Sequence, residues 1–150
     1  MSEHEALVEW RSDGRFIEGS YSRGHAWRFD GGAEVRASSS PSVVPEPMSD
    51  PAGVDPEEAL VASASSCHML WFLSLAREAG LDVTSYSDRA GGAMGRGEDG
   101  RIAITRITLR PKIVFAGRRP EAGELARLHY EAHEKCFIAN SLRSEIVIEG

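Results

Sequence analysis

The sequence predicts an α+β fold, with short strands on both sides of a long central helix. Three observations predict it. Short apolar runs broken by glycine turns fill residues 4–37. An apolar stretch of helical length follows a strong start signal at Asp55–Leu60. Strand-period alternation then returns between Ile102 and Phe115, ahead of a second helical segment and an apolar C-terminal run.

Taken in order, Leu7–Val8–Glu9–Trp10, Arg15–Phe16–Ile17, Ala26–Trp27–Arg28–Phe29 and Glu34–Val35–Arg36 read as strands joined by tight turns. The Ser/Pro-rich segment from Ser38 to Val54 reads as a long loop, and loops of that length are usually functional or disordered. A helix start follows. Asp55 can cap it, Pro56 suits the first helical position, and Glu58 closes a capping box, with Glu57 and Glu58 at the positive end of the helix dipole. The helix is expected to run to about Ala79 and to stop at Gly80, which tolerates the left-handed conformation there. At ~1.5 Å per residue it would be about 36 Å long. Ala59, Leu60, Val61, Ala62, Ala64, Met69, Leu70, Trp71, Phe72, Leu73 and Leu75 leave it no broadly polar face. Such a helix must be covered on all sides, which a chain of 150 residues does with difficulty, so a homo-oligomer is expected.

After the helix, Leu81–Val83–Ser85 alternates as a strand, and Gly91–Gly100 reads as a hairpin or mobile tip. The alternation from Ile102 to Phe115 carries one slip near Thr105–Arg106. A second helix is expected from Pro120 to about Lys135, with Leu125, Leu128 and Ala132 on one face. FIANSL reads as a short helical turn and SEIVIEG as a closing strand.

The length fits a single domain over residues 1–150. A net charge of −6 argues against a nucleic-acid partner, because phosphate binding needs a basic surface. The N-terminal MSEHEALVEW lacks a basic segment followed by an apolar one, so no secretory signal is read. Ser63, Ser65, Ser66, His68 and Ser74 interrupt the most apolar stretch, which therefore reads as a helix buried in protein rather than in a membrane. The expected compartment is the cytoplasm. There a permanent disulfide between the two cysteines is disfavoured, leaving metal binding, transient redox chemistry or packing.

Cys67 lies mid-helix among Ser63, Ala64, Ser65 and Ser66. A free cysteine there can be a small buried hydrophobe. Its small neighbours also let another element approach and supply hydroxyls, which a purely apolar core does not need. A reactive thiolate would require a cation from elsewhere, since Cys67 is three turns from the helix N-terminus. Cys136 follows His129 and His133 at i, i+4, i+7, a spacing that could place three metal ligands on one helix face, with Cys67 as a fourth. A helix break near Lys135–Phe137 would turn Cys136 off that face. His68, about 100° round the helix from Cys67, reads as a structural or pocket-rim residue. The glycines of Gly91–Gly100 do not join a strand to a helix, so no nucleotide loop is read, and no cofactor is expected.

With these residues in place, the chain resembles the OsmC/Ohr family of organic-hydroperoxide peroxidases, in its OsmC-like branch. DPEEALVASASSCHML and HEKCFIANS carry the resemblance most strongly, with LDVTSYSDRA and ITRITLRPKIVF between them. It implies an OsmC-like fold, with antiparallel sheets wrapped around long central helices in an intertwined homodimer. It also implies that Cys67 is the peroxidatic cysteine, that Cys136 is the resolving cysteine and that Glu57 is the acidic residue of a Pro-Glu motif. The family's activating arginine matches Arg23 in SYSRGHAW, with Arg28 and Arg15 as alternatives.

The chemistry so implied is reduction of an organic or lipid hydroperoxide through a Cys67 sulfenic acid and a transient Cys67–Cys136 disulfide. A dithiol reductant, typically a lipoyl group on a protein, would reset it. Met69, Trp71, Phe137 and Ile138 are candidates for an apolar pocket. Two other readings stay open: a family member without peroxidase activity, and a zinc-binding module using His129, His133 and Cys136.

Overall fold

Asp55 and Glu58 form the expected capping box in the computed structural model, which describes residues 2–149. The Asp55 N–H donates to Glu58 Oε1 at 2.9 Å, and the Glu58 N–H donates to Asp55 Oδ1 at 2.8 Å. The helix they start, α1, spans Pro56–Glu78. It ends where the sequence places the stop. Gly80 takes φ 77°, its N–H donates to the Arg77 carbonyl at 3.0 Å, and the Leu81 N–H donates to the Ala76 carbonyl at 3.0 Å. This is a Schellman motif, in which glycine occupies the left-handed position without a Cβ penalty.

Contacts divide the chain into two compact units, Met1–Ala59 and Leu60–Gly150. In the first, β1 (Ala6–Glu9), β2 (His25–Phe29) and β3 (Glu34–Ala37) form an antiparallel sheet in that order. Arg15–Phe16–Ile17, expected as a strand, is instead part of a turn. The Gly19 N–H donates to the Phe16 carbonyl at 3.0 Å, and Gly14 and Gly19 take φ of 91° and 81°. Phe16 packs with Tyr21 and Trp10 at centroid distances of 5.0 and 5.7 Å, leaving Ile17 95% exposed. A local aromatic cluster satisfies this apolar run, so it needs no strand partner. The Ser38–Val54 segment is a series of turns that folds back on β3, with the Ser38 N–H donating to the Val54 carbonyl at 3.0 Å.

The second unit holds most of α1 and two sheets. β4 (Asp82–Asp88) pairs antiparallel with β7 (Pro111–Ala116). β5 (Gly91–Arg96) pairs antiparallel with β6 (Ile102–Leu109), and β8 (Glu145–Ile148) joins β6 in parallel. The sheets are otherwise antiparallel, as expected, and β6–β8 adds one parallel edge. The Gly91–Gly100 stretch is the first strand and the turn of the β5–β6 hairpin, one of the two readings the sequence offers, with the chain reversing over Gly97–Gly100. Glycine is tolerated there because α1 comes close: a Cβ on Gly92 would lie 2.7 Å from Val61 Cγ2. The slip near Thr105 is a β-bulge. Ala93 pairs with Arg106 and Met94 with Ile104, leaving Thr105 unmatched.

α2 (Ala122–Lys135) and α3 (Phe137–Ser141) complete the unit. The C-terminal half of α1 packs Phe72, Leu75 and Ala76 with Leu81 and with Leu128 and Ala132 of α2, bordered by Val83, Tyr86, Ile113 and Phe115. Its preceding turns pack Ala64 with Ile107 and Leu109, bordered by Ile138, Leu142, Ile146 and Ile148. Fully burying a side chain such as Phe72 contributes roughly 1.5–3 kcal/mol. By length and composition alone α1 could also cross a membrane, yet only 28% of its most apolar window is buried within the chain. One face is covered and the other is not: Leu70 is 61% exposed.

Candidate active site

Cys67 and Cys136 approach each other from different elements. Cys67 is half-buried on α1, and Cys136 is 1% exposed at the joint between α2 and α3. The helix breaks after Lys135 as expected. Cys136 takes an extended φ/ψ of −68° and 109°, its N–H closes α2 on the His133 carbonyl at 3.2 Å, and its Sγ accepts the Ala139 N–H at 3.4 Å, starting α3. Burial pushes the Cys136 thiol up from its ordinary value, and the nearby Cys67 thiol adds to the shift. The Ala139 and Ile138 N–H groups partly oppose it. Cys136 therefore rests as a neutral thiol beside a more accessible partner, and both cysteines are free.

An aromatic pair borders the thiols. Trp71, one turn beyond Cys67, meets Phe137, the residue after Cys136, with centroids 5.5 Å apart. The Lys135 ammonium lies 5.4 Å from the Trp71 ring centroid, a cation–π arrangement. Phe137 is 68% exposed, whereas Met69 and Ile138 are half-buried, with Ile138 drawn into the core around Ile107.

Behind Cys67 the structure places a feature that sequence reasoning missed. His68, 1% exposed, has Nε2 3.0 Å from Nδ1 of His129, with the two rings edge to edge, their centroids 5.3 Å apart and their planes 8° from parallel. The face of His129 stacks on Phe72 at 4.5 Å. Burial first, then the neighbouring His129 and His133, lower His68 to about 4, with Asp88 acting weakly in the opposite sense. Burial likewise lowers His129. Asp88 is held by the Ser65 hydroxyl at 2.5 Å and the Arg110 N–H at 2.6 Å. The available signal was positional, since His68 lies four residues before buried Phe72 on the same helix.

Glu57 sits in the first turn of α1, and its Oε2 is buried with no hydrogen-bond partner among the described residues. A bare buried acceptor of this kind costs about 1–3 kcal/mol, and more when charged. In the N-terminal unit, Arg28 pairs with Glu9 and Glu34, and Arg15 pairs with Asp13. Arg23 instead donates from Nη1 to the Tyr21 carbonyl at 2.6 Å and stacks on the Tyr21 ring at 3.6 Å. Of the three, only Arg23 has no carboxylate partner among the described residues.

His129, His133 and Cys136 do not assemble as metal ligands. The break after Lys135 takes Cys136 off the histidine face, and His129 Nδ1 is engaged with His68. Among the described residues no three His, Cys, Asp or Glu side chains converge as a metal set.

A family model described as OsmC-like protein matches residues 49–149. Among solved structures, an OsmC-like protein of unknown function from Vibrio cholerae is 49% identical, covers 99% of both chains and superposes with a TM-score of 0.97. An organic hydroperoxide resistance protein from Elizabethkingia anophelis shares the fold at 17% identity and a TM-score of 0.71, over 99% of this chain and 93% of that one. The organic hydroperoxide resistance protein OsmC from Legionella pneumophila does so at 12% identity and a TM-score of 0.69, over 99% and 96%. No curated protein sequence matches this chain.

Proposed function

Since the chain belongs to the OsmC-like family and has its α+β fold, we propose that it is a thiol-dependent hydroperoxide reductase, working in the cytoplasm as a homodimer. The observation that carries this reading is a half-buried Cys67 and a buried Cys136 on two segments that meet through Trp71 and Phe137, with ring centroids 5.5 Å apart. Reach by substrate suits Cys67 to the first attack, and burial suits Cys136 to the second.

The Cys67 thiolate attacks the terminal oxygen of an organic hydroperoxide. The O–O bond breaks, the alkoxide leaves and takes up a proton as the alcohol, and Cys67 becomes a sulfenic acid. The Cys136 sulfur then attacks Cys67 Sγ, its thiol proton leaves with the displaced hydroxide as water, and a disulfide forms. A dithiol, such as a lipoyl group carried on a protein, returns two electrons and two protons. Arg23 is the proposed activating cation and Glu57 its anchor, consistent with the bare Oε2 of Glu57 and with the lack of a carboxylate partner for Arg23 among the described residues. The aromatic border of Trp71 and Phe137 favours an organic or lipid hydroperoxide over hydrogen peroxide. Association through the uncovered face of α1 would bury Leu70.

The test is hydroperoxide-dependent oxidation of dihydrolipoamide. Wild type turns over many times and Cys67→Ser does not. Full multi-turnover activity in Cys67→Ser would sink the mechanism.

A further inference from the structure

We propose that the buried imidazole pair His68–His129 is a positioning device that holds Cys67 and Cys136 in register for disulfide closure. This rests on the two-cysteine reading above. His68 directly follows Cys67 on α1, and His129 lies seven residues, about two turns, before Cys136 on α2. The only side-chain hydrogen bond between α1 and α2 among the described residues is the 3.0 Å contact between these rings. It joins the two helices beside the point where their thiols must meet. Phe72, one turn beyond His68, stacks on the same imidazole at 4.5 Å, so His129 is gripped by two successive turns of α1.

The proton arrangement follows from what is unpaired. His68 Nδ1 is buried without a partner. A bare buried N–H is rarer than a bare lone pair, so His68 carries its proton on Nε2 and donates to His129 Nδ1. Both rings are then neutral. The titratable groups around the pair are His133 from α2 and Asp88 from β4, and Asp88 is already occupied by Ser65 and Arg110. Thus no carboxylate competes for the hydrogen bond between the imidazoles.

In the reduced protein no cross-link joins α1 to α2, so this contact, with the apolar packing of Phe72, Leu75 and Ala76 on Leu128 and Ala132, limits how far the thiols wander. In the disulfide form the S–S bond does that work itself. With the helices already held together, the hydrogen bond forms at less entropic cost and is worth more, so removing it costs the oxidised state more than the reduced state and lowers the tendency to close the bond. A residue important only for folding would affect both states alike and leave that tendency unchanged.

The experiment equilibrates the reduced, full-length protein with mixtures of reduced and oxidised glutathione at neutral pH. Oxidised glutathione accepts the two electrons, one S–S bond forms as another breaks, and two glutathione thiols are released. Alkylation and intact mass then give the fraction of Cys67–Cys136 disulfide. His129→Phe keeps the stacking and removes the hydrogen bond, and should lower the equilibrium constant about tenfold. His129→Asn keeps a polar atom near the Nδ1 position and should recover most of the loss, separating positioning from damage to the fold. An unchanged constant in His129→Phe, alongside a wild type that closes its disulfide, overturns the positioning role alone. A wild type that never forms the disulfide overturns both this proposal and the two-cysteine mechanism.

Discussion

Trp71 meets Phe137 nearly edge on, with planes at 79°, so the residue one turn beyond Cys67 touches the residue immediately after Cys136. An aromatic contact of this geometry contributes about 0.5–1.5 kcal/mol beyond area burial. If these rings receive the organic part of the substrate, Trp71→Ala should lower kcat/KM for an aromatic hydroperoxide about tenfold, which corresponds to roughly 1.4 kcal/mol. The value for hydrogen peroxide should barely change. Steady-state kinetics with both peroxides checks this, and equal losses would remove Trp71 from substrate recognition.

Cys136→Ser should leave the first attack intact and block the second. After a few equivalents of organic hydroperoxide, Cys67 should climb to the sulfinic and sulfonic acids, which intact mass resolves. Wild type under the same treatment should stop at the disulfide.

Acid should weaken the fold through His68. Its folded value of about 4 lies below the ordinary 6.5, so the unfolded chain takes up the proton first as pH falls. The stabilising contribution is whole above about pH 6.5 and declines from there toward pH 4. His129 acts in the same direction. Urea midpoints measured across this range should fall in wild type and fall less steeply in His68→Gln. Identical slopes would mean that the pair does not titrate as described.

Sedimentation equilibrium at micromolar concentration should give twice the chain mass. Leu70→Asp, on the uncovered face of α1, should shift that balance toward the single chain, because a carboxylate there would have to be buried on association. A single-chain mass for wild type would remove the dimer from the proposed function.

Much of the fold was legible in short-range chemistry. Asp55, Glu58 and Gly80 mark the ends of α1 through hydrogen bonds and a backbone conformation that depend only on near neighbours. The bulge at Thr105 shows as a break in alternation for the same reason. Elements defined by distant partners were harder to read. Arg15–Phe16–Ile17 has a strand-like composition but finds its apolar partners in Trp10 and Tyr21. β8 is visibly a strand, yet nothing within it dictates parallel pairing with β6. The site divides in the same way. The two cysteines stand out as residue types, whereas the meeting of His68 with His129 depends on how α1 and α2 pack, which neither helix encodes alone.

The glycines of β5 carry a final consequence. Composition alone would mark Gly91–Gly100 as the segment most tolerant of change, since half of its residues are glycine. At Gly92 the opposite holds, because even a methyl group would have to displace Val61 of α1, which lies on the same helix as Cys67. Mutational tolerance along this ribbon should therefore be lowest where there is least side chain, and substitutions at Gly92 should register as displacements of the helix that carries the thiol.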